Sequence, residues 1–233
     1  MCIAIFKPEG VKIEKEVLEN CFINNDDGAG YAVMLKRGMK VKKGFFEFDR
    51  FYQSFSCHMD CQAIIHFRIA THGTIEETSC HPFVIDKKVA VCHNGILSNM
   101  PGVYSEYIGS SRFKKDLTPV DLRSDTQIFC DDILTPLIKE HPGFWRTGSG
   151  KRLIELAIGP SNKLIMLDSM GNAVIFNEDK GVWDDDCWFS NTSYMTAAVS
   201  MYEGWWAKRN EVKTDATDDF SYLEDYDWGR FMK

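Results

Sequence analysis

No apolar run in this 233-residue chain approaches the ~18 residues needed to cross a bilayer, so no membrane-spanning helix is expected. A basic excess is also missing. The formal charge is −7, whereas a general nucleic-acid or membrane-surface binder needs a basic face. The N-terminus has no basic region, long apolar stretch or cleavage site of the kind a secretory leader carries, so the cytosol is the expected compartment. Internal repeats are absent as well. The eight cysteines lack the spacing of a metal site. Cys57 and Cys61 are close enough, but no second close pair completes a zinc pattern. In Cys57-His58, Cys80-His81 and Cys92-His93 the two side chains would point to opposite faces of a strand and could not share one ion. Free, mostly buried thiols are expected, with no metal.

What is present is enough for one sizeable core, since 44% of the residues are hydrophobic. Residues 2–210 read as a single domain and residues 211–233 as an acidic, aromatic-containing tail. That tail interleaves Asp215, Asp218, Asp219, Glu224, Asp225 and Asp227 with Phe220, Tyr222, Tyr226 and Trp228. It reads either as a solvated segment or as a docking strip for a partner.

Along the domain, strands are expected behind Cys2, at Tyr31–Leu35, at Ala63–Ala70 and at Lys88–Cys92, the last two central because they are apolar and β-branched. Val17, Leu18, Cys21 and Phe22 mark one face of a helix, and Phe48–Phe55 reads as a second. Ser124 and Gln127 have the spacing of a capping box for a helix over Thr126–Lys139, which Pro136 should end or kink. Lys163–Leu167 and Ala173–Phe176 read as a hairpin, and Trp188-Phe189-Ser190 as a late strand.

The candidate chemistry starts at position 2. Removal of Met1 would leave Cys2 with a nucleophilic thiol and a free α-amine, which titrates near ~7.7–8.0 where a general base works well. His66-Phe67-Arg68-Ile69-Ala70-Thr71-His72-Gly73 follows downstream. In a strand, Ile64, His66 and Arg68 share one face, and an arginine buried there needs an anionic partner. His93-Asn94-Gly95 comes after an apolar run. Its Asn-Gly pair suits either a hairpin turn or a pair of oxyanion donors. Ser124-Asp125-Thr126 opens the third helix, and Asn25-Asp26-Asp27-Gly28-Ala29-Gly30 lies near the start.

In that order behind Cys2, these segments resemble the class II glutamine amidotransferases over roughly Cys2 to Tyr194. The resemblance implies an α+β fold, a four-layer αββα sandwich of the N-terminal-nucleophile hydrolase type. It implies a glutamine amidotransferase or glutaminase that forms a thioester on Cys2 and needs no cofactor. Arg68, Thr71 and His72 would hold the α-carboxylate of glutamine, Asp125 its α-ammonium, and Asn94 with Gly95 the oxyanion. His66 reads instead as a hydrogen-bonded core residue. Larger family members carry an arginine where this chain has Asn25-Asp26-Asp27-Gly28, which is closer to small stand-alone members. With few residues after Tyr194, ammonia is expected to pass to a separate acceptor enzyme. Two alternatives stay open: a hydrolase of another γ-glutamyl or small amide, and a catalytically silent binding subunit. The oligomeric state is not legible.

Overall fold

The apolar residues behind Cys2 form β1 (Ile3–Lys7), and alternation along that strand sets the layering of the molecule. Ile3 and Ile5 join one core cluster, while Ala4 points the other way into a second. In this computed structural model, residues 2–69, 76–100 and 123–196 are described. The acidic tail expected at 211–233 lies outside them, as do Thr71 and His72.

After β1 come α1 (Lys15–Ile23), β2 (Ala29–Leu35), β3 (Gly38–Phe45), α2 (Phe48–Ser56) and β4 (Ala63–Phe67). Short β5 (Phe83–Ile85) and longer β6 (Val89–Asn94) precede a helical segment that begins with α3 (Asp125–Ile128) and ends with α4 (Thr135–Glu140). Then follow α5 (Gly148–Ile158), β7 (Lys163–Asp168), β8 (Ala173–Phe176), β9 (Val182–Asp184) and β10 (Cys187–Phe189). The strands make two antiparallel sheets, one ordered β3-β2-β4-β1-β10-β9 and one ordered β5-β6-β7-β8.

Three cores divide four layers. Leu18, Cys21, Phe51 and Phe55 of α1 and α2 cover one face of the larger sheet with Ile3, Ile5, Tyr31 and Phe67. Ala4, Ala32, Ile64, Ala90, Cys92, Ile165, Leu167 and Trp188 pack between the sheets. Val91, Leu164 and Met166 meet Ile128, Leu134, Ile154 and Ile158 of the helical layer behind the smaller sheet. This is the αββα sandwich.

Of the two outcomes expected at Pro136, an end or a kink, the helical segment does not end there but continues to Glu140, with an irregularity just before the proline. Between α3 and α4 the chain widens into a π-helical turn over Phe129–Leu134. The Thr135 N–H and hydroxyl both reach back five residues to the Cys130 carbonyl, the hydroxyl at 2.7 Å. The wider turn relieves the backbone bonding that a proline, with no N–H, disrupts. The strand expected over Ala63–Ala70 also ends sooner, at Phe67. Beyond it, Arg68 N–H donates to Gly28 O (2.8 Å) and Arg68 O accepts from Asp27 N–H (2.9 Å).

Candidate active site

The register of β1 on β4 pairs Ile3 with Phe67 and Ala4 with His66, and continuing it sets Cys2 opposite Arg68. The Cys2 side chain is accordingly at Ile69: its Sγ accepts from Ile69 N–H and lies the same 3.3 Å from Ile69 O. The Cys2 carbonyl accepts from the side-chain amides of Asn94 and Asn191, the latter at 2.8 Å. Asn94 comes from the end of β6 in the facing sheet, whereas Asn191 follows β10 in the same sheet as Cys2. Both sheets therefore grip this residue. Next to it, Ser190 Oγ accepts from Ala4 N–H and Ser190 N–H donates to Ala4 O, each at 2.9 Å.

Burial raises the Cys2 thiol above its ordinary value. The Ile69 hydrogen bond and the positive charge of Arg68 pull the other way without cancelling it. The thiol is the resting form at neutral pH, so nucleophilic attack would need a base.

Asn94 and Gly95 do not form a hairpin turn. β6 pairs with β5 and β7, and the chain leaves the sheet after Asn94. Alternation in β6 sends Ala90 and Cys92 toward the larger sheet, and Asn94 points the same way. Gly95 has φ of +142°, a conformation that suits glycine. A Cβ there would also collide with the Asn162 side chain. Gly95 is exposed, and among the described residues no turn or loop hydrogen bond takes its N–H.

Arg68 follows β4 directly, is 6% exposed, and lies near enough for its positive charge to act on both Cys2 and His66. Asp125 stands at the first turn of α3 behind the expected capping box. Ser124 Oγ accepts from Gln127 N–H (3.2 Å), and Gln127 Oε1 accepts from Ser124 N–H (3.0 Å). The Asp125 carboxylate accepts from Leu97 N–H through Oδ2 and from Thr126 N–H through Oδ1, both at 2.7 Å. Cys2, Arg68 and Asn94 thus come together, while Asp125 is fixed two residues beyond Gly95 by Leu97.

Sequence reasoning gave Asn191 no role and missed a histidine network beside the site. His66, as expected, is a hydrogen-bonded core residue; its Nε2–H donates across the sheets to His93 O (2.9 Å). The His93 ring meets Asn162 Oδ1 at 2.9 Å and Thr126 Oγ1 at 2.8 Å. His81 packs on His66 with ring centroids 4.1 Å apart. Gly30 makes room for this arrangement, because a Cβ there would strike the His81 carbonyl. Burial lowers all three histidines, His66 to about 3.

These shifts predict acid sensitivity. Each histidine stays neutral in the fold but takes up a proton below pH ~6.5 once unfolded. The stability they contribute is therefore complete above that value and is lost as pH falls from it toward the folded pKa. The slope is about 1.4 kcal/mol per pH unit for each histidine. Thermal unfolding between about pH 7.5 and about pH 5 should show a falling Tm, flattened in His66→Gln. A flat parental profile would contradict the neutral buried cluster.

No protein-family model matches the chain. Among curated proteins it is similar to the glutamine–fructose-6-phosphate aminotransferase (isomerizing) of Corynebacterium diphtheriae. The two are 34% identical over 87 residues, which is 36% of this chain and 14% of that protein. The enzyme of the same name from Fusobacterium nucleatum is 28% identical over 138 residues, 57% of this chain and 23% of that protein. The chain thus spans less than a quarter of the length of either relative. A solved structure described as the allosteric regulatory enzyme of purine biosynthesis superposes with a TM-score of 0.51 at 17% identity, covering 81% of this chain and 41% of the other. That likeness concerns the fold. The partial sequence matches are thus to glutamine-using aminotransferases, in keeping with the resemblance of the ordered motifs to the class II glutamine amidotransferases, and the two-sheet αββα layering is the fold shared with that solved structure.

Proposed function

We propose that the protein hydrolyses the side-chain amide of glutamine through a thioester on Cys2, once Met1 has been removed, and releases ammonia to a separate acceptor. The observation that carries this reading is the meeting of three groups from distant parts of the chain. The Cys2 sulfur rests against Ile69, directly after buried Arg68, while the Asn94 amide reaches the Cys2 carbonyl from the opposite sheet. A nucleophile, a cation suited to a carboxylate and an amide donor are what acyl transfer from an amino-acid amide requires.

In the proposed reaction the α-amine of Cys2 takes the thiol proton and sulfur attacks the side-chain carbonyl carbon. Asn94 and the Gly95 N–H stabilise the oxyanion. The intermediate collapses with cleavage of the C–N bond, and the ammonium returns its proton to the departing nitrogen as ammonia. Water, deprotonated by the same amine, then attacks the thioester; glutamate leaves and the thiol is restored. Arg68, with Thr71 and His72, binds the α-carboxylate and Asp125 the α-ammonium, so the zwitterion is held at both ends with its amide toward Cys2. The clamp at Asp125 is rigid because two backbone N–H groups already fix its carboxylate, which has lone pairs to spare for an ammonium.

The deciding assay measures glutamate and ammonia release from glutamine. Faster turnover of γ-glutamyl peptides would favour hydrolysis of another amide, and no turnover together with no labelling of Cys2 by a glutamine-like electrophile would favour a silent binding subunit. Arg68→Lys keeps the charge but loses the planar fork. It should weaken glutamine binding by roughly 1.5–3 kcal/mol, the usual worth of a charge-assisted hydrogen bond, with a smaller effect on kcat. Asp125→Asn should do the same from the other end. Unchanged glutamine affinity in either variant would refute the clamp.

A further inference from the structure

We infer that His93 is a positioning residue that sets the oxyanion donors and the ammonium-binding carboxylate relative to each other. The inference deepens the proposed glutaminase reading and rests on it. His93 is 2% exposed and points away from Cys2, toward the helical layer, because it alternates with Asn94 on β6. It therefore cannot touch the substrate from where it lies.

The tautomer follows from its neighbours. Asn162 Nδ2 donates to Ile158 O at 2.6 Å, so Asn162 Oδ1 faces His93 as an acceptor. The His93 proton is then on Nε2, and Nδ1 accepts from the Thr126 hydroxyl at 2.8 Å. A third tether is the His66 Nε2–H on the His93 carbonyl. With ring and carbonyl both held, the peptide leading into Asn94 has one orientation, and the Asn94 amide and Gly95 N–H inherit it.

The two ring bonds serve different parts of the site. Asn162 packs so closely on Gly95 that no Cβ fits there, so the Nε2 bond locates the oxyanion segment. Thr126 directly follows Asp125, and its backbone N–H donates to Asp125 Oδ1 at 2.7 Å, so the Nδ1 bond locates the carboxylate through the start of α3. One imidazole thus ties the end of a strand to the start of a helix, where the two functions reside.

This division can be tested because asparagine and glutamine each reproduce one nitrogen. His93→Gln extends an amide to the Nε2 position and keeps a donor for Asn162 but loses the Thr126 bond. It should raise KM for glutamine about tenfold while kcat stays within about threefold, the range of one lost hydrogen bond. His93→Asn keeps an acceptor for Thr126 and loses the Asn162 bond, so it should lower kcat about tenfold and spare KM. Thr126→Val, which removes the hydroxyl at nearly constant shape, should reproduce the KM effect and covers the case in which the His93 variants do not fold. Glutamate release by the purified full-length chain gives both constants. Parallel losses in kcat and KM, or parental constants with only a lower Tm, would show a merely structural histidine and overturn the inference. An inactive parent would instead overturn the glutaminase reading, and the inference with it.

Discussion

Replacing Asn94 with alanine is expected to cut kcat for glutamine by about 10²–10³-fold, the usual cost of one missing oxyanion donor. KM should hardly change, since the donor acts mainly on charge that develops in the transition state. The geometry adds a second consequence. One proton of the Asn94 amide is already on the Cys2 carbonyl, which leaves the other for the oxyanion. Alanine would therefore remove the donor and also one of the two amides that hold the nucleophile in place. Asn191→Ala separates these effects, because Asn191 shares the Cys2 carbonyl but has no proposed part in the oxyanion hole. Its loss should be about tenfold or less, typical of a single neutral hydrogen bond. Should Asn94→Ala turn over glutamine at the parental rate, the Asn94-Gly95 pair would be no more than the end of a strand.

The parts of this fold that could be read from sequence are those whose burial is uniform or whose partner is local. β4 is buried at every position, and its apolar run announced a central strand. The β7–β8 hairpin closes over a short turn, with Leu167 paired to Ala173. β5 and β9 were not legible. Each has three residues and owes its identity to a partner strand, Phe83 opposite Val91 in one case and Trp183 opposite Trp188 in the other. α5 was missed for another reason. It opens on Gly148 and Gly150, poor helix formers, and exposes Leu153 and Leu156, which blurs its apolar stripe. The Thr147 hydroxyl, accepting from Gly150 N–H at 3.0 Å, supplies the start that propensity does not.

The site divides along similar lines. Cys2, Arg68 and Asn94 stand in recognisable motifs, and the structure brings them to one place. Asn191 meets Cys2 across 189 positions of sequence, and no spacing rule links them. His93 was in plain view beside Asn94, yet its role depends on Thr126 and Asn162, which lie 33 and 69 positions away. Such tertiary contacts have no local signature.

Blocking the terminus should abolish activity as completely as removing the sulfur. Cys2→Ala deletes one atom from a partly buried side chain and leaves the β1–β4 register intact, so it should fold and fail to turn over glutamine. An uncleavable residue placed before Cys2 keeps the thiol but converts the α-amine to an amide, which is no base at neutral pH. Burial raises the thiol pKa, so little thiolate forms unaided and the proton must be taken by a neighbour. The nearby side chains are poor candidates. A guanidinium such as that of Arg68 offers only donors, and His66, held to about 3 by burial, is far too weak a base near neutrality. An α-amine titrating near ~7.7–8.0 is well matched to the task. Mass spectrometry of active parental protein should therefore show loss of Met1, and both variants should be folded and inactive. Full activity in the blocked variant would rule out the amine as base, even if Cys2 proved essential, and would send the search back to the buried histidines.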